Sequence, residues 1–216
     1  MQYDVQNARL INHIKSRGYL KSEEIENALR HIKRHNFVPE DITEMAYEDM
    51  PLSIGHDQTI SQPSTVVAMT EALEVKPGHK VLEIGSGSGW QAAILAKLVN
   101  TTGIVYTIEI VRFLAEFARK NLIKQKVTNV KIVCGDGSLG LEKYAPYDRI
   151  IVTAACPKIP KPFLEQLKVG GIMVIPVGNV YLQQMHVINK LERGIEEKTI
   201  GSFMFVPLKG KFGFKE

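Results

Sequence analysis

Residues 83–90 read EIGSGSGW, with glycines at Gly85, Gly87 and Gly89 and Ser86 between the first two. The motif follows an apolar run and opens an apolar-periodic helix pattern. Glycines there let the backbone turn tightly and approach a ligand without a Cβ in the way. Glu109 ends the next apolar run, about two dozen residues after Gly85. An acid in that place accepts hydrogen bonds from ribose hydroxyls. A third element, Cys134-Gly135-Asp136-Gly137, ends another such run. Asp136 can accept from an adenine amino group, and Gly137 permits close approach. By itself GDG reads as an ordinary turn. With the other two it completes a nucleoside site at the carboxyl ends of three strands.

A dinucleotide fold needs GxGxxG, whose third glycine would fall at position 90, and Trp90 stands there. Trp90 reads instead as a packing residue behind the ligand. Glu83, just before the first glycine, would repel a pyrophosphate but favour a sulfonium cofactor carrying an amino group. The ligand predicted is S-adenosylmethionine, leaving S-adenosylhomocysteine after methyl transfer. The plain competitor is a strand-to-helix turn that binds nothing. Strand, glycines, helix and following acid together favour the ligand. The NPPY or DPPY tetrapeptide of amino-methylating enzymes is absent, and DRIIVTAA stands in its place. Cys156 is followed by proline rather than preceded by one, unlike the nucleophile of cytosine C5 enzymes.

The elements that position these groups follow from periodicity. Helix patterns cover 5–17 and 22–34, the second with Ser22 as N-cap and Glu23 and Glu24 in its first turn. Residues 40–63 read as an irregular polar loop punctuated by Pro51, Gly55 and Pro63. Loops of that length are usually functional or disordered. From 64 onward strands at 81–84, 104–109, 130–136, 148–155 and 171–178 alternate with helices. Two further strands flank a turn at Arg193-Gly194. Alternation at this spacing predicts an α/β fold. Its doubly wound, mostly parallel seven-stranded sheet would be Rossmann-like, with an antiparallel C-terminal edge and added N-terminal helices. One domain is expected over 1–216, divided into helices and substrate loop (1–63), cofactor core (64–180) and C-terminal strands (181–216).

Composition is that of a globular chain: 216 residues, 44% hydrophobic and 23% charged, which excludes a disordered chain, a collagen or a disulfide scaffold. The net charge of +4 reads as spread out, so no nucleic-acid partner is expected. The two cysteines, Cys134 and Cys156, read as buried free thiols, which fits a reducing cytoplasm. The N-terminus has no secretory h-region, and no apolar run is long enough to span a bilayer. A cytoplasmic monomer with no membrane partner is expected.

The segment IGHDQTISQPST (54–65), with EIGSGSGWQAA, CGDG, VTAAC, KIP, QLKVGGIMVIPVG and the terminal FVPL, closely resembles the protein-L-isoaspartate O-methyltransferase family. The resemblance runs from about residue 6 to the end, in the family's motif order. It implies methyl transfer to the free α-carboxylate of isoaspartyl residues in damaged proteins. The ester then collapses to a succinimide, whose hydrolysis restores some normal aspartate. The functional serine falls on Ser61. Cofactor contacts fall on Gln58, Thr59, Ile60 and Ser61, on Gly85 to Gly89, on Glu109 and on Asp136-Gly137. Substrate contacts fall on Thr59, Ile60 and Ser61 and on Val206, Pro207 and Leu208 of the FVPL segment.

The chemistry suits these residues. A carboxylate acceptor is ionised at neutral pH, so no strong base is needed, and His56 reads as a loop residue. Ser61 can hydrogen-bond the acceptor, although serine also caps helices. No metal is implied. Two positions depart from the family: Asp57, where many members have glycine, and Ser64, where many have Tyr or His. Asp57 either weakens acceptor binding or is turned outward. Methylation of RNA or a small molecule is the rival activity, and a binding module without turnover the rival class.

Overall fold

The computed structural model describes residues 2–215. Two helices, α1 (Gln2–Ser16) and α2 (Glu23–His31), precede a hairpin of β1 (Leu52–Gly55) and β2 (Gln58–Ile60). Then follow α3 (Pro63–Leu73), β3 (Lys80–Ile84), α4 (Trp90–Val99), β4 (Ile104–Glu109), α5 (Arg112–Lys124) and β5 (Val130–Cys134). The chain closes with β6 (Tyr147–Val152), α6 (Lys161–Gln166), β7 (Leu167–Gly178), β8 (Gln183–Lys190) and β9 (Ile195–Phe203). Short 3-10 turns lie at Arg34–Phe37, Glu40–Met45, Gly137–Leu139 and Glu142–Tyr144.

The seven-stranded sheet has the order β5-β4-β3-β6-β7-β8-β9. β3 pairs in parallel with both β4 and β6, so the strand order reverses beside it. That switch point opens a crevice at the strands' carboxyl ends. β8 and β9 add antiparallel to β7, with β9 outermost. β3 is covered on both faces. Val81 packs with Met69, Leu73 and Leu95 on one side, and Leu82 and Ile84 with Ile108, Ile150 and Phe163 on the other. Strands buried on two faces are apolar throughout. α4 is buried all round because α1 and α2 form a further layer outside it: Ala93, Ile94 and Leu98 join Ile11, Ile14, Ile25 and Leu29 in one cluster.

The structure corrects several expectations. Residues 40–63 are not irregular: they hold a 3-10 turn and the β1–β2 hairpin. Its two-residue tip, His56-Asp57, has φ of 53° and 57° at both residues, as a type I′ turn requires. Asp57 is exposed and turned outward. Its left-handed backbone is one that glycine adopts without strain. Ser64 is buried in the first turn of α3, and its N–H donates to Asp49 Oδ1 at 2.8 Å. Ser22 occupies the N-cap of α2 but makes no side-chain cap. Its hydroxyl and N–H donate instead to the Glu71 carboxylate on α3, at 2.5 and 2.8 Å. Cys156 is buried but Cys134 is exposed, because β5 is an edge strand with half-open faces.

Arg34 organises the segment between α2 and α3. Its side chain is 1% exposed and faces no carboxylate at hydrogen-bond distance. Nη1 donates to the carbonyls of Ala46 (2.9 Å) and Glu48 (3.2 Å), and Nη2 to those of Met50 (2.9 Å) and Ser61 (3.1 Å). The guanidinium lies 5.4 Å from the Trp90 ring centroid. Burial lowers its pKa to about 10, with Asp49 opposing, so it stays charged at neutral pH. Hydrogen bonds to a charged group contribute about 1.5–3 kcal/mol each. Arg34→Met is therefore expected to lower stability by at least ~3 kcal/mol, read as a lower urea midpoint at unchanged slope. Arg34→Lys should recover only part of it, since a single ammonium cannot fork to four carbonyls. An unchanged midpoint in Arg34→Met would contradict this role.

Candidate functional site

A cleft of about 930 Å³, its open mouth included, lies at the carboxyl ends of β3, β4 and β6. Its walls come from distant parts of the chain. The hairpin and the approach to α3 supply Gln58, Thr59, Ile60 and Ser61; the β3–α4 turn supplies Glu83, Gly85, Ser86 and Gly87. Glu109, Gly137 and the C-terminal Val206, Pro207 and Leu208 close it. The C-terminal stretch is held by Ala155, whose N–H donates to Val206 O and whose carbonyl accepts from Leu208 N–H, both at 2.8 Å.

The glycine turn is shaped by its neighbours. Gly85 has φ 97°, and a Cβ there would collide with the Thr153 hydroxyl. Thr153 Oγ1 donates to Ile84 O and Gly85 O at 3.0 and 2.9 Å, fixing the end of β3. Glu109 fastens the turn from the other side. Its carboxylate accepts from Gly87 N–H and Val111 N–H, both at 2.9 Å. A carboxylate offers roughly four acceptor positions, so Glu109 keeps capacity for hydroxyls in the cleft.

Glu83 is different. It is fully buried, and neither carboxylate oxygen has a hydrogen-bond partner. Burial raises its pKa from 4.5 to about 8, with the nearby Thr107 hydroxyl opposing and the Glu109 charge adding. A buried polar group without a partner is costly, and this one lies on the cleft wall. The Thr107 hydroxyl nearby is bonded to Ser86 Oγ, and a ligand in the cleft with an ammonium group would supply the donor Glu83 lacks. The residues present therefore fit an amino-bearing nucleoside: an orphan acid for the amine, and an acid with spare acceptors for a diol. Ile110 and Val111 give an apolar wall beside them.

Ser61 precedes Gln62, the N-cap of α3, so its hydroxyl is not the helix cap. That hydroxyl makes no hydrogen bond among the described residues, while its carbonyl is held by Arg34. His56 packs on the Phe113 ring with centroids 4.8 Å apart and does not line the cleft. Trp90 is 3% exposed and lines the inner wall of the cleft beside the glycine turn, with Nε1–H donating to Ile32 O at 3.2 Å.

Two expected contacts act from behind the wall. Gly89 has φ 87°, and a Cβ there would come within 3.2 Å of Ala118 Cβ, so it seats α4 against α5. Asp136 is engaged by its own turn and by the C-terminal loop. Its Oδ1 accepts from Ser138 N–H (2.9 Å) and Ser138 Oγ–H (2.7 Å), its Oδ2 from Lys211 N–H (2.9 Å). Partial burial opposes ionisation, but these bonds hold its pKa below the usual value. Gly137, not Asp136, lines the cleft. Thr153, Val66, Met69 and Gln91 line it too and were not expected. Only Thr153 carried a signal, standing at the carboxyl end of the strand next to β3.

The chain matches the profile of the protein-L-isoaspartate(D-aspartate) O-methyltransferase family over residues 5–213. It is 50% identical to the protein-L-isoaspartate O-methyltransferase of Methanopyrus kandleri over 210 residues, covering 96% of this chain and 93% of that one. With the Hyperthermus butylicus protein of the same name it shares 48% over 217 residues, covering 96% and 90%. A solved structure of a protein-L-isoaspartate O-methyltransferase superposes with a TM-score of 0.88 at 30% identity, covering 96% of this chain and 67% of that one. A Plasmodium falciparum chain described as a beta-aspartate methyltransferase, in complex with S-adenosyl-L-homocysteine, gives 0.82 at 26% identity, covering 93% and 97%.

The Glu83 environment has a consequence for pH. The folded protein holds the proton to about pH 8, whereas the unfolded chain releases it near 4.5. Stability from this group is full below the unfolded value and is lost as pH rises through that window. Glu83→Gln is expected to flatten the fall in urea midpoint between about pH 5 and 8 in the ligand-free protein. Parallel pH profiles for the two proteins would contradict the buried, protonated Glu83.

Proposed function

The chain belongs to the protein-L-isoaspartate(D-aspartate) O-methyltransferase family, and from that premise we propose how its cleft performs the reaction. It is an S-adenosylmethionine-dependent protein carboxyl O-methyltransferase. It methylates the free carboxylate of isoaspartyl residues and so starts repair through a succinimide. Bound S-adenosylmethionine supplies an electrophilic methyl group on a sulfonium.

The chain's own residues bind and orient. Glu83 receives the cofactor's ammonium group, and the orphaned state of this buried carboxylate is the observation that carries the reading. Glu109 accepts the ribose hydroxyls with the lone pairs left over from Gly87 and Val111. Gly85, Ser86 and Gly87 bring backbone against the ligand, and Gly137 flanks the base. Gln58, Thr59 and Ile60 cover it from the hairpin. Ser61 donates its unused hydroxyl to one oxygen of the acceptor and leaves the other to attack. The acceptor is ionised at neutral pH, so alignment rather than proton removal is what the cleft must provide. Val206, Pro207 and Leu208 form the peptide's side of the cleft.

The segments 1–63, 64–180 and 181–216 all contribute to this one cleft, which supports reading them as a single domain. That one chain lines the cleft from all three segments supports reading the enzyme as a monomer. Two free cysteines suit a reducing cytoplasm. No helix of the described residues is long and apolar enough to cross a membrane.

Ser61→Ala is expected to lower kcat more than about tenfold, with little change in cofactor Kd. Unchanged turnover would remove Ser61 from the mechanism. Glu109→Ala should weaken cofactor binding by about ten- to a hundredfold in calorimetry, the worth of hydrogen bonds to a charged group. An unaltered Kd would place the ribose elsewhere.

A further inference from the structure

We propose that the lysine-lined cavity beside the cleft is a subsite for acidic side chains flanking the isoaspartyl residue, a proposal that rests on the reading of the cleft given above. The net charge of +4 reads as diffuse along the chain, but the fold concentrates it. Lys158, Lys209, Lys211 and Lys215 line one open cavity, and no carboxylate among the described residues lines it with them. None of the four makes an ion pair among the described residues. Lys15, Lys33, Lys161 and Lys168, by contrast, each sit on a carboxylate. Asp136 accepts from Ser138 and from Lys211 N–H, and its charge also acts on Lys211, which leaves Lys158, Lys209 and Lys215 with no recorded carboxylate among the described residues.

The lysines stand on a built surface. The loop closes on itself through Phe214 N–H to Leu208 O (2.9 Å) and Gly213 N–H to Gly210 O (3.0 Å). It is pinned to the turn after β5 by Lys211 N–H and by Phe212 N–H, the latter donating to Ser138 Oγ at 3.0 Å. A Cβ on Gly210 would collide with the Asp136 carboxylate, and one on Gly213 with Leu208 O, so the loop sits tight against the fold.

The cavity adjoins the catalytic cleft, since Lys209 lines both. A polypeptide presenting its isoaspartyl carboxylate to Ser61 passes Val206, Pro207 and Leu208, and its neighbouring residues reach the lysines. Lysine ammonium groups here draw in an anionic substrate and favour Asp or Glu beside the acceptor. Each exposed pair is weak and screened by salt, so the effect belongs to binding and not to the chemical step.

The test uses the full chain and three isoaspartyl peptides of equal length, with flanks of glutamate, glutamine or lysine. At low ionic strength kcat/KM should be about fivefold higher for the glutamate flank than for the glutamine flank. The difference should lie in KM and vanish at high salt. Exposed Lys158 and Lys215 are then reversed together, Lys158→Glu with Lys215→Glu. The order of glutamate and lysine flanks should invert while kcat on the glutamine peptide stays unchanged. Equal kcat/KM for all three peptides in the native enzyme, or an order that survives the reversal, would overturn the subsite. Failure to methylate even the glutamine peptide would instead overturn the reading of the cleft.

Discussion

A buried guanidinium is the constraint on which the rest of this site depends. Arg34 has no carboxylate at hydrogen-bond distance among the described residues, so its charge is neutralised by backbone dipoles, and four carbonyls from two stretches of chain must converge on it. Three of them belong to the connection between α2 and the hairpin, and the fourth is Ser61. The Trp90 ring, at the start of α4, lies 5.4 Å from the same guanidinium. One side chain thus fixes Ser61 relative to the helix that follows the glycine turn. Ser61 therefore needs no regular element of its own. Its backbone is placed by a long-range hydrogen bond, and its hydroxyl is left uncommitted.

Arg34 and Glu83 form an instructive contrast. Both are buried ionisable groups beside the cleft. The cation is nearly saturated by the protein, with only Nε left over, whereas the acid, protonated when the cleft is empty, has no hydrogen-bond partner for either oxygen among the described residues. Folding satisfies polar groups wherever it can, so an orphan carboxylate on a cleft wall marks where a ligand completes the structure. Glu109 lies between these extremes, half used by the backbone and half available. A cofactor with a cationic amine and a ribose diol matches this division of labour.

Much of this was legible in the sequence because burial imposes periodicity. β4 runs over Ile104–Glu109 as its apolar residues indicate, and the glycine spacing at 85, 87 and 89 marks the strand-to-helix turn. The hairpin was hidden for a physical reason. Its tip uses His56-Asp57 in left-handed conformation rather than the Asn-Gly or Asp-Gly pair that signals such turns. Arg34 gave no sign either, since one arginine in a polar stretch looks like any solvated charge until its carbonyl partners are seen. Asp136 was legible as a turn residue and as a ligand contact, and its bonds to Ser138 and Lys211 show the turn role. The clustering of lysines is a property of tertiary placement, because Lys158 reaches the C-terminal loop only through the fold.

The central claim is that this cleft methylates an isoaspartyl carboxylate and distinguishes it from an ordinary aspartate. The most direct test supplies S-adenosylmethionine with a labelled methyl group to two peptides identical except for that one linkage. Base-labile label on the isoaspartyl peptide alone is the predicted result. Equal labelling of both peptides, or none on the isoaspartyl peptide while cofactor binding is intact, would contradict it.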